Sequence, residues 1–201
     1  IVWPESAIPA LANDVQVYLD QVRALAQAQG SSLVTGLVRR DPTSGSFHNA
    51  MVAYSAGEQW YYKRHLVPCG EYFPVPDFVR NWMRLMSLPN TDMTPGDPVQ
   101  PLLETASGEK LAVAICYEDA YGAEQLYALP EASLLINVSN DAWFGDTIAP
   151  HQHLEIARKF RKARTFWEAF HKLHRASDVH SLAVALTGAQ HGYETLMAFD
   201  R

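Results

Sequence analysis

A chain of 201 residues with 48% hydrophobic and 19% charged side chains suits one packed domain and excludes a disordered or fibrous polypeptide. Its formal charge of −6 gives no basic field for nucleic acid, which argues against nucleic-acid binding. Two cysteines, Cys69 and Cys116, are too few for a disulfide scaffold or a zinc knuckle, and runs such as 111–116 and 134–138 are far shorter than the roughly 20 apolar residues that cross a bilayer.

In chain order, Val15, Tyr18, Leu19, Val22, Leu25 and Ala26 fall at helical spacing, predicting a helix over 15–28 capped by Asn13 or Asp14 and ended at Gly30. A β-rich stretch at 32–38 is followed by the turn cluster 41–45 and a strand at 47–54, and a hairpin through 55–58 leads into 59–62. Prolines and glycines crowd 62–99, predicting an elaborated functional loop. Within it a helical stripe joins Phe78, Trp82, Leu85 and Met86. Residues 102–104 and 111–116 form a second hairpin around Ser107 and Gly108, its last strand apolar on both faces and so buried. A short helix at 121–129 and a buried strand at 132–138 follow. This alternation predicts an α/β sandwich with helices over a mixed sheet.

Three polar residues stand at the ends of apolar runs: Glu5, Lys63 and Cys116. Sheets of α/β proteins place their sites at strand ends. A thiol is largely protonated at neutral pH and needs a base, a role open to Glu5. Attack on a carbonyl builds an oxyanion, which an ammonium and a backbone N–H stabilise, here Lys63 and the amide of Tyr117. Taken singly, a buried cysteine is usually an apolar filler and the other two surface charges; their joint occurrence raises the chemical reading.

The segments Val2-Trp3-Pro4-Glu5-Ser6-Ala7-Ile8-Pro9, Tyr62-Lys63-Arg64-His65-Leu66-Val67-Pro68, Gly70-Glu71-Tyr72-Phe73-Pro74 and Ile115-Cys116-Tyr117-Glu118 resemble the nitrilase superfamily. With Asn137-Val138-Ser139-Asn140-Asp141-Ala142-Trp143-Phe144-Gly145 and His151-Gln152-His153-Leu154, the pattern is most similar to its lipoprotein N-acyltransferase branch. The resemblance implies a four-layer αββα sandwich, incomplete at both ends, and a catalytic triad at Glu5, Lys63 and Cys116. Glu71 and Glu118 support the site and Tyr117 supplies the oxyanion N–H, while Tyr72, Phe73, Trp143 and Phe144 contact substrate. It implies no cofactor and no metal. The partners it implies are a phospholipid acyl donor and a diacylglyceryl apolipoprotein acceptor, at the periplasmic face of a bacterial inner membrane reached through transmembrane helices outside this chain.

The resemblance covers 1–158, read as the catalytic domain and truncated before Glu5. Residues 159–201 form an atypical tail, basic and helical over 159–177 and followed by 181–187. Two other functions compete: a soluble amidohydrolase with the same triad, and an inactive fragment. The stripe at Phe78, Trp82 and Leu85 is either a lid against acyl chains or ordinary core, to be decided by its exposure. His151 and His153 diverge at i,i+2 and no cysteine completes a zinc set, while Ser107 to Lys110 fits a serine-x-x-lysine pattern only as a hairpin turn. Cys69, beside Glu71, lies near the site but is predicted not to bridge Cys116.

Overall fold

Strand β2 (Phe47–Tyr54) shows how the layers arise. Its side chains alternate, Met51 and Ala53 joining one apolar cluster and Val52 and Tyr54 another, as the period-two geometry of a strand requires. In the computed structural model, which describes residues 1–55, 57–85, 92–128, 131–158, 182–188 and 194–198, β2 is the centre of an antiparallel sheet. Its neighbours are β1 (Leu33–Arg40) and β3 (Glu58–Tyr62). A second sheet has the order β4-β5-β6-β7-β8. In it β5 (Lys110–Ile115), β6 (Leu134–Asn140) and β7 (Leu182–Gly188) run parallel. The edge strands β4 (Leu103–Glu104) and β8 (Glu194–Ala198) run antiparallel to their neighbours.

The two sheets bury their facing sides together. Val34, Met51, Ala53 and Tyr61 from the first meet Leu111, Val113, Ile115, Ile136 and Val138 from the second. Each fully buried Leu, Ile or Val contributes about 1.5–3 kcal/mol. The outer face of the first sheet is covered by helix α1 (Gln16–Ala28), whose Leu19 and Ala26 pack on Leu33, Leu37, Val52 and Tyr54. On the far side Ala112 and Leu135 meet Ala128 and Ala132 at the end of the 3₁₀ segment Cys116–Ala128. The order is therefore helix, sheet, sheet, helical layer, the αββα sandwich that the family resemblance implies.

Two local expectations are revised. Helix α1 has no side-chain cap: Asn13 instead accepts a hydrogen bond from the Arg40 amide at 3.1 Å, tying the helix entry to the end of β1. The helix predicted at 121–129 is part of a 3₁₀ segment that starts at Cys116 and is interrupted at Tyr121 (φ −100°, ψ 44°). Its first turn is tightened because the buried Glu118 carboxylate reaches back to the Ile115 amide at 2.8 Å.

The stripe within 62–99 forms helix α2 (Asp77–Leu85), with Phe78, Trp82 and Leu85 exposed at 75%, 55% and 81%. That exposure decides against core packing for these three side chains; Met86 lies outside the described residues. A third helix, α3, spans 149–158. The basic stretch 159–177 also lies outside the described residues, whereas 182–188 provides β7. Among the described residues no helix is long and apolar enough to cross a membrane.

Candidate active site

The first residues lie against β1 in parallel, through bonds from the Trp3 amide to the Val34 carbonyl (2.8 Å) and from the Ala7 amide to the Gly36 carbonyl (3.0 Å). Between them Glu5 crosses Gly36 so closely that a β-carbon on Gly36 would sit 2.7 Å from the Glu5 Cα. Glycine is required there for close approach. Ser6, with φ 47°, then turns the chain away and leaves the Glu5 side chain buried between the sheets.

Lys63 follows β3 directly and is 1% exposed. Its Nζ lies 3.3 Å from Glu5 Oε1 and 2.9 Å from Glu71 Oε2. Asn49 on β2 donates to both carboxylates at 2.7 Å through the same amide nitrogen. Glu71 is anchored by the Val67 amide at 2.8 Å and Glu5 Oε2 by the Asn140 amide at 3.1 Å. Burial disfavours the ammonium, but Glu5, Glu71 and the neighbouring Cys116 outweigh it, so Lys63 is held above its ordinary pKa and stays charged.

Cys116 directly follows β5 with φ 52°, a left-handed conformation that costs a non-glycine residue about 1–3 kcal/mol. The bend directs the chain into the 3₁₀ segment, and the Tyr117 amide is among those first-turn N–H groups with no intrahelical acceptor. The bend is held by Glu118, fully buried, whose Oε1 accepts from the Arg64 and His65 amides (2.6 and 3.2 Å) and whose Oε2 accepts from the Tyr61 hydroxyl and Ile115 amide (2.9 and 2.8 Å). Glu118 thereby ties the Cys116 turn to the residues after Lys63. Burial pushes the Cys116 thiol up to about 12, Glu5 adds to this, and Lys63 and Ser139 pull it back. The resting sulfur is a neutral thiol beside an ammonium and a carboxylate.

A second buried cluster adjoins the thiol. Ser139, at the end of β6, donates to Asp141 Oδ1 at 2.7 Å. His153 on α3 places Nδ1 2.8 Å from the same oxygen and Nε2 3.5 Å from Asp119 Oδ2. Asn137 donates to that Asp119 oxygen at 2.9 Å. Burial disfavours the His153 cation, but Asp119 and Asp141 overcome it and raise the imidazole to about 10.

The carbon-nitrogen hydrolase profile matches residues 1–167. The chain belongs to the carbon-nitrogen hydrolase family. An apolipoprotein N-acyltransferase of Methylococcus capsulatus is 41% identical over 159 residues, covering 79% of this chain and 31% of that protein. Another, from Pseudomonas syringae pv. tomato, is 38% identical over 161 residues, with 79% and 32% covered. This carbon-nitrogen hydrolase chain thus spans about a third of the length of the curated relatives it matches. In fold it is similar to Saccharomyces cerevisiae Nit3, a member of branch 10 of the nitrilase superfamily, with a TM-score of 0.53 at 19% identity over 91% of this chain and 55% of that one.

Of the residues singled out in the sequence, Glu5, Lys63, Glu71 and Cys116 converge, with Glu118 holding the turn. Tyr72 and Tyr117 line a cavity of about 420 Å³ together with His65 and Tyr121. Phe73 is half-buried, while Trp143 is 83% exposed and Phe144 41% exposed. Cys69 is exposed and Cys116 buried, both free thiols. Sequence reading missed Asn49, Ser139, Asp141 and Asp119 as site components and weighed His153 only as a metal ligand. The available signal was the polar run after β6, which ends an apolar strand as the three selected residues do.

Proposed function

We propose that this chain carries the catalytic centre of an apolipoprotein N-acyltransferase, with Cys116 as nucleophile, Glu5 as proton carrier and Lys63 as oxyanion partner. The observation that carries the reading is the Lys63 ammonium clamped between the buried carboxylate of Glu5 and the half-buried one of Glu71, beside a strained cysteine. Glu5 Oε1 is occupied by Lys63 and Asn49, whereas among the described residues Oε2 accepts only the Asn140 amide, which leaves a lone pair for a proton. Glu5, Glu71 and Lys63 together carry one net negative charge. Moving the thiol proton to Glu5 shifts that negative charge onto sulfur and leaves the total over these three groups and Cys116 unchanged, and a thiol of high pKa gives up its proton during attack rather than before it.

In the first half-reaction Cys116 Sγ bonds the ester carbonyl carbon of a phospholipid as its proton passes to Glu5. The oxyanion is met by Lys63 and the Tyr117 amide. The carbon–oxygen bond then breaks, the leaving oxygen takes the proton from Glu5, and a lysophospholipid departs from the thioester. In the second, the α-amine of a diacylglyceryl-cysteine attacks the thioester carbon and gives a proton to Glu5. The carbon–sulfur bond breaks, Sγ regains the proton, and the product is an amide.

The relatives' names support an apolipoprotein acceptor and N-acyl transfer, and exposed Phe78, Trp82, Leu85, Trp143 and Ile148 support contact with acyl chains or a bilayer surface. The reading places the chain at the periplasmic face of the inner membrane, as the catalytic domain of a longer membrane protein. Incubation with phosphatidylethanolamine in mixed micelles, followed by intact-mass measurement, tests it. The parent chain gains one acyl mass on Cys116 and releases lysophospholipid, and Cys116→Ala does neither. A parent chain that gains no acyl mass overturns the reading, and release of fatty acid without transfer to a diacylglyceryl peptide turns it into a hydrolase.

A further inference from the structure

Cys116 holds a left-handed φ of 52°, and such a conformation persists only where its surroundings over-determine it. The 3₁₀ segment that follows is a weak frame by itself, because its hydrogen-bond geometry is poorer than that of an α-helix and it is interrupted at Tyr121. Two consecutive buried carboxylates supply what the backbone does not. Glu118 ties the turn to the Arg64 and His65 amides. Asp119, 3% exposed, reaches toward β6 and α3 instead: its Oδ2 accepts from Asn137 Nδ2 at 2.9 Å and lies 3.5 Å from His153 Nε2. Asn137 is itself placed by the parallel ladder, where it stands opposite Ala114, two residues before Cys116. His153 is pinned through its other nitrogen, with Nδ1 2.8 Å from Asp141 Oδ1. Among the described residues Asp119 Oδ1 has no hydrogen-bond partner, so both contacts fall on one oxygen.

We propose that Asp119 is a positioning residue for the oxyanion-binding amide: held by Asn137 and His153, it fixes the far end of the turn that begins at Cys116 and so aims the Tyr117 N–H between them. This rests on the reading of Cys116 as the nucleophile and of the Tyr117 amide as an oxyanion donor. The Tyr117 side chain does not do this for its own backbone. It is 37% exposed, and its hydroxyl accepts from the Tyr121 hydroxyl of the same segment at 3.2 Å. Glu118 alone holds the turn from the side of the first sheet, which leaves the segment free to pivot about that carboxylate. Asp119 removes the pivot by fastening the next residue to β6. A misaimed amide still lets phospholipid bind but loses a hydrogen bond made in the transition state, so the anchor acts on the rate of acyl transfer and not on lipid capture.

The test joins acyl-transfer kinetics to a readout that needs no lipid. Intact-mass time courses at rising phosphatidylethanolamine in mixed micelles give a saturating rate of adduct formation and a half-saturating lipid concentration. Asp119→Ala lowers the saturating rate about ten- to hundredfold, the cost of a misplaced group, and leaves half-saturation within about twofold of the parent. Asp119→Asn, whose carboxamide oxygen still accepts from Asn137 and faces His153, recovers the rate to within about threefold of the parent. Hydrogen exchange followed by mass spectrometry reads the turn itself: in Asp119→Ala peptides of the 3₁₀ segment exchange about tenfold faster while those of β2 and β5 keep the parent rate. Asn137→Ala removes one of the two holds, lowers the saturating rate about three- to tenfold, and decides the case if Asp119→Ala does not melt cooperatively. A cooperatively melting variant with the parent's saturating rate overturns the proposal, and so does an Asp119→Asn as slow as Asp119→Ala. A parent chain that gains no acyl mass refutes the acyltransferase reading; unchanged exchange of the 3₁₀ segment in Asp119→Ala refutes the anchor whether or not acyl transfer is seen.

Discussion

Two buried clusters flank Cys116, and each sets one cation between two carboxylates: Lys63 between Glu5 and Glu71, and His153 between Asp119 and Asp141. Their charge is the same but their reach differs. The first comes from the N-terminal segment, β2, β3 and the loop after it, and its Glu5 and Lys63 act on the thiol directly. The second is built from β6, the 3₁₀ segment and α3, and it bears on the thiol more weakly, Ser139 lowering its pKa and Asp141 raising it. A lysine cation persists at every physiological pH, whereas an imidazolium exists here only because two aspartates sustain it. Direct charge at the nucleophile is thus supplied by a permanent cation, and the titratable one is kept further from the thiol.

The largest break in the comparison is Lys63→Met. It removes the cation and leaves Glu5 and Glu71 facing each other around Asn49, an unpaired buried charge that costs about 3–5 kcal/mol. Loss of the oxyanion partner is expected to lower acyl-adduct formation by about 10²–10³-fold. Denaturant melts and intact-mass time courses measure the two effects separately. A variant as stable as the parent at pH 7 would mean that the two carboxylates share a proton and that the clamp is not a charge cluster.

A subtler break acts on the first cluster alone. In Gly36→Ala the new β-carbon meets the Pro4 carbonyl oxygen at 2.5 Å and the Glu5 Cα at 2.7 Å, so the backbone carrying Glu5 must shift. Overpacking of this kind costs about 1–3 kcal/mol. Adduct formation is expected to fall more than stability suggests, because Glu5 loses register with Lys63 while Ser139 and His153 stay in place. Equal adduct rates in Gly36→Ala and the parent would show that Glu5 tolerates displacement and is no proton carrier.

The first cluster was legible because Glu5, Lys63 and Cys116 each close an apolar run, and strand ends converge in a layered α/β fold. Glu71 and Glu118 came through the resemblance, since nothing local marks a carboxylate in a loop as buried. The sandwich was legible from two-sided apolar strands such as 111–115 and 134–138. The second cluster was not, because Ser139, Asp141 and His153 read as a polar loop followed by a helix until β6 and α3 bring them beside Asp119. An i,i+2 histidine pair invites a question about metal, and the structure answers it differently: His151 is exposed and His153 is buried on two aspartates. The exposed stripe of α2 illustrates a further limit, because helical periodicity identifies an apolar face without saying whether protein or lipid covers it.

The smallest expected effect concerns the imidazolium itself. His153 is raised from 6.5 to about 10, so its contribution to stability is complete below 6.5 and is lost as pH rises through 10. Above about 8.5 the Cys116 thiol, raised to about 12, adds a loss of the same sign, because the unfolded chain ionises its cysteine first. The window from pH 6.5 to 8.5 therefore belongs mainly to His153. Across it the parent is expected to lose about 1 kcal/mol more than His153→Gln, the weight of roughly one pKa unit once the coupling to both aspartates is discounted. Taking the difference between the two proteins removes every group they share, the partly buried Ile1 amino group included. Parallel stability profiles would mean that the imidazole is neutral, so that Asp119 and Asp141 are balanced by something other than His153 and the likeness between the two clusters is one of shape alone.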